Sequence, residues 1–200
     1  ATDSPIVVAC QNFKGGVGKS TTCVNLAHFL ALKGYRVLVV DTDSQATTTS
    51  MFGYVPDAEI DEDATILPYL SGYQTTLDYA VRKSYWPNID LIPACLALYE
   101  AELAIVMHLA AQTDVEKRVQ FFMELKYGLQ TVADNYDVIL LDSPPALGMI
   151  SINVLMAADA LLVPSAARMF DFSSTVQFFR MIHNYIGKID PSKQYRWISV

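Results

Sequence analysis

Short apolar runs that stop at a polar residue recur along the chain, with helical periodicity between them. Ile6-Val7-Val8-Ala9-Cys10 opens the series, in a strand predicted over Ile6 to Asn12. Tyr35-Arg36-Val37-Leu38-Val39-Val40 stops at Asp41, and Val138-Ile139-Leu140-Leu141 stops at Asp142. Ile89 to Pro93 and Ala160 to Pro164 are of the same kind, and Trp197 to Val200 looks like the start of another strand. Near-continuous apolar strands belong to parallel sheets covered on both faces. Cys23, Leu26, Ala27 and Leu30 recur at i, i+3, i+4 and i+7, one face of a helix that Gly34 ends. Helices are also predicted near Leu67 to Leu70, within Thr76 to Val81, over Leu98 to Ala111 and over Ile150 to Ala157. Val115, Val119, Phe122, Leu125, Leu129 and Val132 share one further helical face, and Phe172, Val176, Phe179, Ile182 and Ile186 another. Ala46 to Ser50 is a threonine run without a clear period, and Tyr54 to Asp63 reads as a polar surface loop. Strands alternating with helices predict an α/β fold: a mostly parallel twisted sheet with helices on both faces.

Composition narrows the class. Two hundred residues, 52% of them apolar, suit a single domain over 1–200 with a sizeable core. No apolar run approaches the ~18–20 residues that span a bilayer, so no membrane partner is expected. Ala1-Thr2-Asp3-Ser4-Pro5 lacks the basic start of a secretory signal. Cys10, Cys23 and Cys95 are far apart and odd in number, as expected of small buried residues in a reducing, cytoplasmic compartment rather than a metal set. The net charge of −7 does not suggest a nucleic-acid surface, though it leaves room for a local basic patch.

The chemistry concentrates after the first strand, at Asn12-Phe13-Lys14-Gly15-Gly16-Val17-Gly18-Lys19-Ser20-Thr21-Thr22. A strand, a glycine-rich loop and a helix in that order make a phosphate-binding unit. The glycines let backbone N–H groups turn around an anion, and the helix points its positive dipole end at the same place. Lys19 supplies charge for the β- and γ-phosphates and Ser20 a hydroxyl for Mg²⁺. Against the usual G-x-x-x-x-G-K-[ST] pattern, Phe13 occupies the first glycine position and Lys14 is an additional cation. Asp41-Thr42-Asp43-Ser44-Gln45 and Asp142 follow strand ends, where open α/β sheets place their ligand crevice. Capping of local turns is the competing role for Asp41 and Asp43.

Lys14-Gly15-Gly16-Val17-Gly18-Lys19-Ser20 resembles the deviant Walker motif of the ParA/MinD superfamily. Asp41-Thr42-Asp43-Ser44-Gln45 resembles the D-x-D-P-Q of ParA-type ATPases, with Ser44 in place of proline, and Asp142-Ser143-Pro144-Pro145 resembles their D-x-P-P. The resemblance runs from Ile6 to Val200 and is strongest for the large plasmid-partition branch. It implies a P-loop NTPase fold, incomplete at the C-terminus, that binds ATP and Mg²⁺ through Lys14, Gly15, Gly16, Val17, Gly18, Lys19, Ser20 and Thr21. It implies that Lys14 reaches the partner's nucleotide in an ATP-dependent homodimer and that Asp43 positions the attacking water. Ser20, Asp142 and, in support, Asp41 form the implied metal site. It further implies slow hydrolysis, nonspecific DNA binding, a centromere-binding partner protein, and a cytoplasmic, nucleoid-associated protein for plasmid or chromosome segregation. Arg168 is a candidate at the dimer interface. A Min-type division-site ATPase, a nitrogenase-iron-protein-like reductase and a nucleotide-dependent DNA-binding repressor are the alternatives.

Overall fold

The apolar runs become parallel strands, and the structure, a computed structural model, describes residues 4–166 and 169–200. Strands β1 (Ile6–Cys10), β2 (Val37–Asp41), β3 (Arg82–Lys83), β4 (Ile89–Ile92), β5 (Val138–Asp142), β6 (Ala160–Leu162) and β7 (Ile198–Ser199) form one sheet. Their order is β3-β4-β2-β5-β1-β6-β7, and every pairing is parallel except β3 with β4. The helices are α1 (Lys19–Leu32), α2 (Thr47–Met51), α3 (Leu67–Leu70), α4 (Ala97–Ala111), α5 (Val115–Phe121), α6 (Glu124–Gln130), α7 (Met149–Ala157) and α8 (Met169–Ile189).

Side chains alternate across the sheet, and both faces are covered. Val8 and Cys10 of β1 pack with Cys23, Val24 and Ala27 of α1 on one face. Ala9 joins Leu125 of α6, Val154 and Leu155 of α7 and Phe178 of α8 in the core on the other. Each Val, Leu, Ile or Phe side chain removed from water contributes about 1.5–3 kcal/mol, which makes these strands apolar throughout. Gly34 closes α1 at φ +89°, its N–H donating to Ala31 O at 2.9 Å. This is the left-handed exit that glycine adopts without strain.

Register sets the site. Cys10 lies opposite Asp142, and Asp142 lies opposite Asp41. The chain therefore leaves β1, β5 and β2 at one level, and the loops after β1 and β2 flank the end of β5. This is the crevice that open α/β sheets use for ligands.

Three elements differ from the periodicity. The face from Val115 to Val132 is split between α5 and α6. Phe122 and Met123 donate to Val119 O and Gln120 O, i→i+3 bonds that tighten the turn, and the Leu125 N–H is received by Asn153 of α7. The threonine run is helical, because its hydroxyls and N–H groups find partners on three strand ends. β3, two residues pairing antiparallel at the sheet edge, has no apolar signal at all. Arg168 lies outside the described residues, and no described helix is long and apolar enough to cross a membrane.

Candidate nucleotide-binding site

The loop between β1 and α1 is held at its base by Asn12. Its Oδ1 accepts the Lys14 N–H at 3.0 Å, and its Nδ2 donates to Pro164 O at 2.8 Å, beyond the end of β6. Phe13, where the common pattern has glycine, sets its ring edge-on to Phe178 of α8 at 4.7 Å. The aromatic residue thus fastens the loop to the helix layer instead of disturbing it. Gly16 and Gly18 sit at φ +71° and +86°, and an ideal Cβ on either meets nothing within 4 Å. The demand for glycine there comes from the backbone angle and leaves open space over the loop. Gly15 and Gly16 are exposed, Val17 and Gly18 half-buried, and Gly18 is the residue from which α1 starts. Thr21 is exposed in the first turn, its carbonyl receiving Asn25 Nδ2.

The two lysines differ. Lys19 is 7% exposed, and its Nζ donates to Lys14 O at 3.1 Å, so its ammonium is folded back across the loop. Burial lowers its pKa, while Asp142 and Asp43 nearby pull it back up. Lys14 is half-buried on the rim of a cleft of about 450 Å³ that Phe13, Leu147, Phe178 and Met181 also line.

The three aspartates divide their tasks. Asp142 is buried at the end of β5. Its Oδ2 accepts the Thr48 hydroxyl at 2.7 Å, and its Oδ1 is buried without a protein partner. Burial raises its pKa, against the lowering effect of the Thr48 hydrogen bond and of the Ser20 hydroxyl nearby. Asp43 is half-buried, and its Oδ1 accepts the Gln45 N–H at 3.0 Å, so it does cap the turn it stands in. Asp41 is wholly buried; its Oδ2 accepts from Thr49 N at 2.8 Å and Thr49 Oγ1 at 2.7 Å, and its Oδ1 from Asp43 N at 3.1 Å. Burial and the neighbouring Asp142 push its pKa up to about 8. Both Asp41 oxygens are turned to the loop after β2, whose shape they set.

A buried carboxylate oxygen with no protein partner, near a serine hydroxyl, suits a small hard cation. Mg²⁺ takes one or two carboxylates and completes its shell with water and phosphate. The residues therefore fit Mg²⁺ with Ser20 and Asp142 as its holders. Periodicity missed Asn12, Thr48 and Thr49; the one available signal was three consecutive threonines directly after the acidic loop.

Comparison with known proteins shows the family. A family model described as an AAA domain (AAA_31) matches residues 6–194. Protein SopA of Escherichia coli K12 is 41% identical over 188 residues, 93% of this chain and 47% of SopA. The chromosome partitioning protein ParA of Caulobacter vibrioides is 32% identical over 187 residues, 92% of this chain and 65% of that protein. The chain thus spans about half the length of SopA. The crystal structure of cobyrinic acid a,c-diamide synthase from Mycobacterium smegmatis with a bound ATP analog and magnesium superposes with a TM-score of 0.80 at 28% identity, over 98% of this chain and 72% of that one. With its two-lysine loop at the end of β1 and a strand-end aspartate beside it, the chain belongs to the AAA_31 family of AAA domains, as a ParA-type P-loop NTPase.

Proposed function

We propose that the chain is the nucleotide-binding and hydrolysing part of a DNA-partition ATPase, working as an ATP-driven dimerisation switch. The observation that carries this reading is the loop itself: Lys14 and Lys19 on one glycine loop, with Lys19 held in place by a carbonyl of that loop. When phosphates enter, Lys19 Nζ exchanges the Lys14 carbonyl for phosphate oxygens, a stronger charge-assisted bond. The N–H groups of Gly15 to Ser20 and the α1 dipole bind the same oxygens. Mg²⁺, when bound, supplies neutralisation of charge on the β- and γ-phosphates; Ser20 and Asp142 are its holders, and Asp41 supports them by shaping the loop after β2. Asp43 orients the water for in-line attack on the γ-phosphate, and Lys14 reaches across to the partner subunit's nucleotide, adding positive charge where the transition state gathers negative charge.

The likeness to SopA and to ParA supports the setting: a cytoplasmic, nucleoid-associated protein whose ATP-bound dimer holds DNA nonspecifically and is released by a centromere-binding partner that stimulates slow hydrolysis. ATP acts as a switch only in so far as it binds the dimer differently from the monomer. Solution mass by light scattering, with ADP and with a slowly hydrolysed ATP analogue plus Mg²⁺, tests the proposal. A monomer with ADP and a dimer with the analogue is the expected result. A mass indifferent to nucleotide would reduce the chain to an ordinary P-loop enzyme.

A further inference from the structure

We infer that Thr48, at the start of α2, is a positioning residue for the cation: its hydroxyl holds Oδ2 of Asp142 and leaves Oδ1 as the oxygen offered to the metal. The assignment rests on the reading of this site as one for nucleotide and Mg²⁺. It stands on four observations. Thr48 is completely buried, and its Oγ1 donates to Asp142 Oδ2 at 2.7 Å. Asp142 Oδ1 is buried and accepts from no protein group. The backbone beneath is fixed, because Thr42 donates to Asp142 O through both its N–H, at 3.0 Å, and its hydroxyl, at 2.7 Å. Finally, the adjacent Thr49 is committed elsewhere: its hydroxyl donates to Asp41 Oδ2 at 2.7 Å and accepts the Ala94 N–H at 2.9 Å.

The physical argument follows from the two lone-pair faces of a carboxylate. A charge-assisted bond of this length is among the stronger hydrogen bonds and fixes the torsion about the carboxylate. With Oδ2 engaged, Asp142 presents a single oxygen, as an octahedral Mg²⁺ with several waters and phosphates requires. Without the hydroxyl, the carboxylate is free to turn, and a buried oxygen loses its donor. Groups that orient a metal ligand from behind usually change metal affinity by about 10–100-fold when removed. α2 also belongs to the loop that carries Asp43, so this bond ties the water-positioning loop to the cation holder.

The test separates the cation from the nucleotide. Mn²⁺ is titrated into the ADP-saturated chain and followed by electron paramagnetic resonance; a fluorescent ADP analogue is titrated in EDTA. Thr48→Val is expected to weaken Mn²⁺ binding by about tenfold or more while nucleotide affinity in EDTA stays within about twofold. Thr48→Ser, which keeps the hydroxyl, and Thr47→Val, at the exposed neighbour, are expected to match the parent chain. Thr48→Ala carries the same expectation as Thr48→Val should the latter fail to fold. Parent-like Mn²⁺ binding in the folded Val or Ala variant overturns the assignment alone, as does an equal loss of nucleotide affinity in EDTA, which would make Thr48 merely structural. A parent chain that takes up neither ADP nor Mn²⁺ overturns the nucleotide reading, and the assignment falls with it.

Discussion

Gly18 and Asp43 show how single residues carry the site for different reasons. At Gly18 the backbone sits at φ +86° with open space around the missing Cβ. The whole cost of a side chain there is torsional, about 1–2 kcal/mol for a left-handed L-residue. Gly18→Ala should therefore lower the unfolding free energy by about that amount, read from urea denaturation, without any repacking of the core. Asp43 is the opposite case. Its carboxylate caps only its own turn, so its loss should cost little stability. Under the proposed mechanism it also orients the attacking water. Asp43→Ala should reduce ATP turnover by about 10²-fold or more, the range of a positioned acid–base group, with ATP-analogue affinity nearly unchanged. Turnover at the parent rate would remove Asp43 from the mechanism.

At the scale of the element, α2 is where sequence reading and structure part. Buried strands, glycine turns and the long amphipathic helices are local properties, and the chain spells them out: β2 and β5 end in the aspartates that the apolar runs stop at. The site loop is equally legible, since glycine at φ > 0 and lysine before a helix are chemical necessities. A five-residue threonine helix is not, because no periodic apolar face builds it. It exists because Asp41, Asp142 and the Ala94 N–H, far apart in sequence, need hydroxyl partners at one level of the sheet. The division of 115–132 into α5 and α6 has the same origin, a side-chain cap from α7. The buried pair Asp41 and Asp142 gives a pH signature. Asp41 holds its proton up to about pH 8 in the fold, against an ordinary 3.8. Between those values the folded chain binds more protons than the unfolded one, so its contribution is complete below about pH 4 and is lost as pH rises toward 8. In Mg²⁺-free buffer the urea midpoint should fall across this window, and Asp41→Asn should flatten the fall. A slope unchanged in Asp41→Asn would place the proton elsewhere.

At the scale of the whole molecule, strand order decides what the loop can reach. Because β5 lies between β1 and β2, the loops after β1 and β2 enclose one strand end, and Lys19, Ser20, Asp43 and Asp142 meet inside a single subunit. Lys14 lines a neighbouring cleft as well. It is half-buried beside the cleft between the loop and α8, while Lys19 crosses beneath it to its carbonyl. Under the proposed function, Lys19 serves the nucleotide of its own subunit. A second cation on the same loop gains most where the phosphates of another subunit approach, since charge brought across a closing interface acts in a water-poor setting where Coulomb energy is larger. Removing it should then spare the monomer's own binding and strike the dimer. Lys14→Ala should keep ATP-analogue affinity within about tenfold, roughly 1.4 kcal/mol. It should also abolish the rise in mass that the analogue and Mg²⁺ produce in the parent chain. Dimers of Lys14→Ala at parent concentrations would return this lysine to its own subunit's phosphates. Loss of nucleotide binding in the variant would do the same, because a residue serving only the partner cannot set the affinity of a monomer.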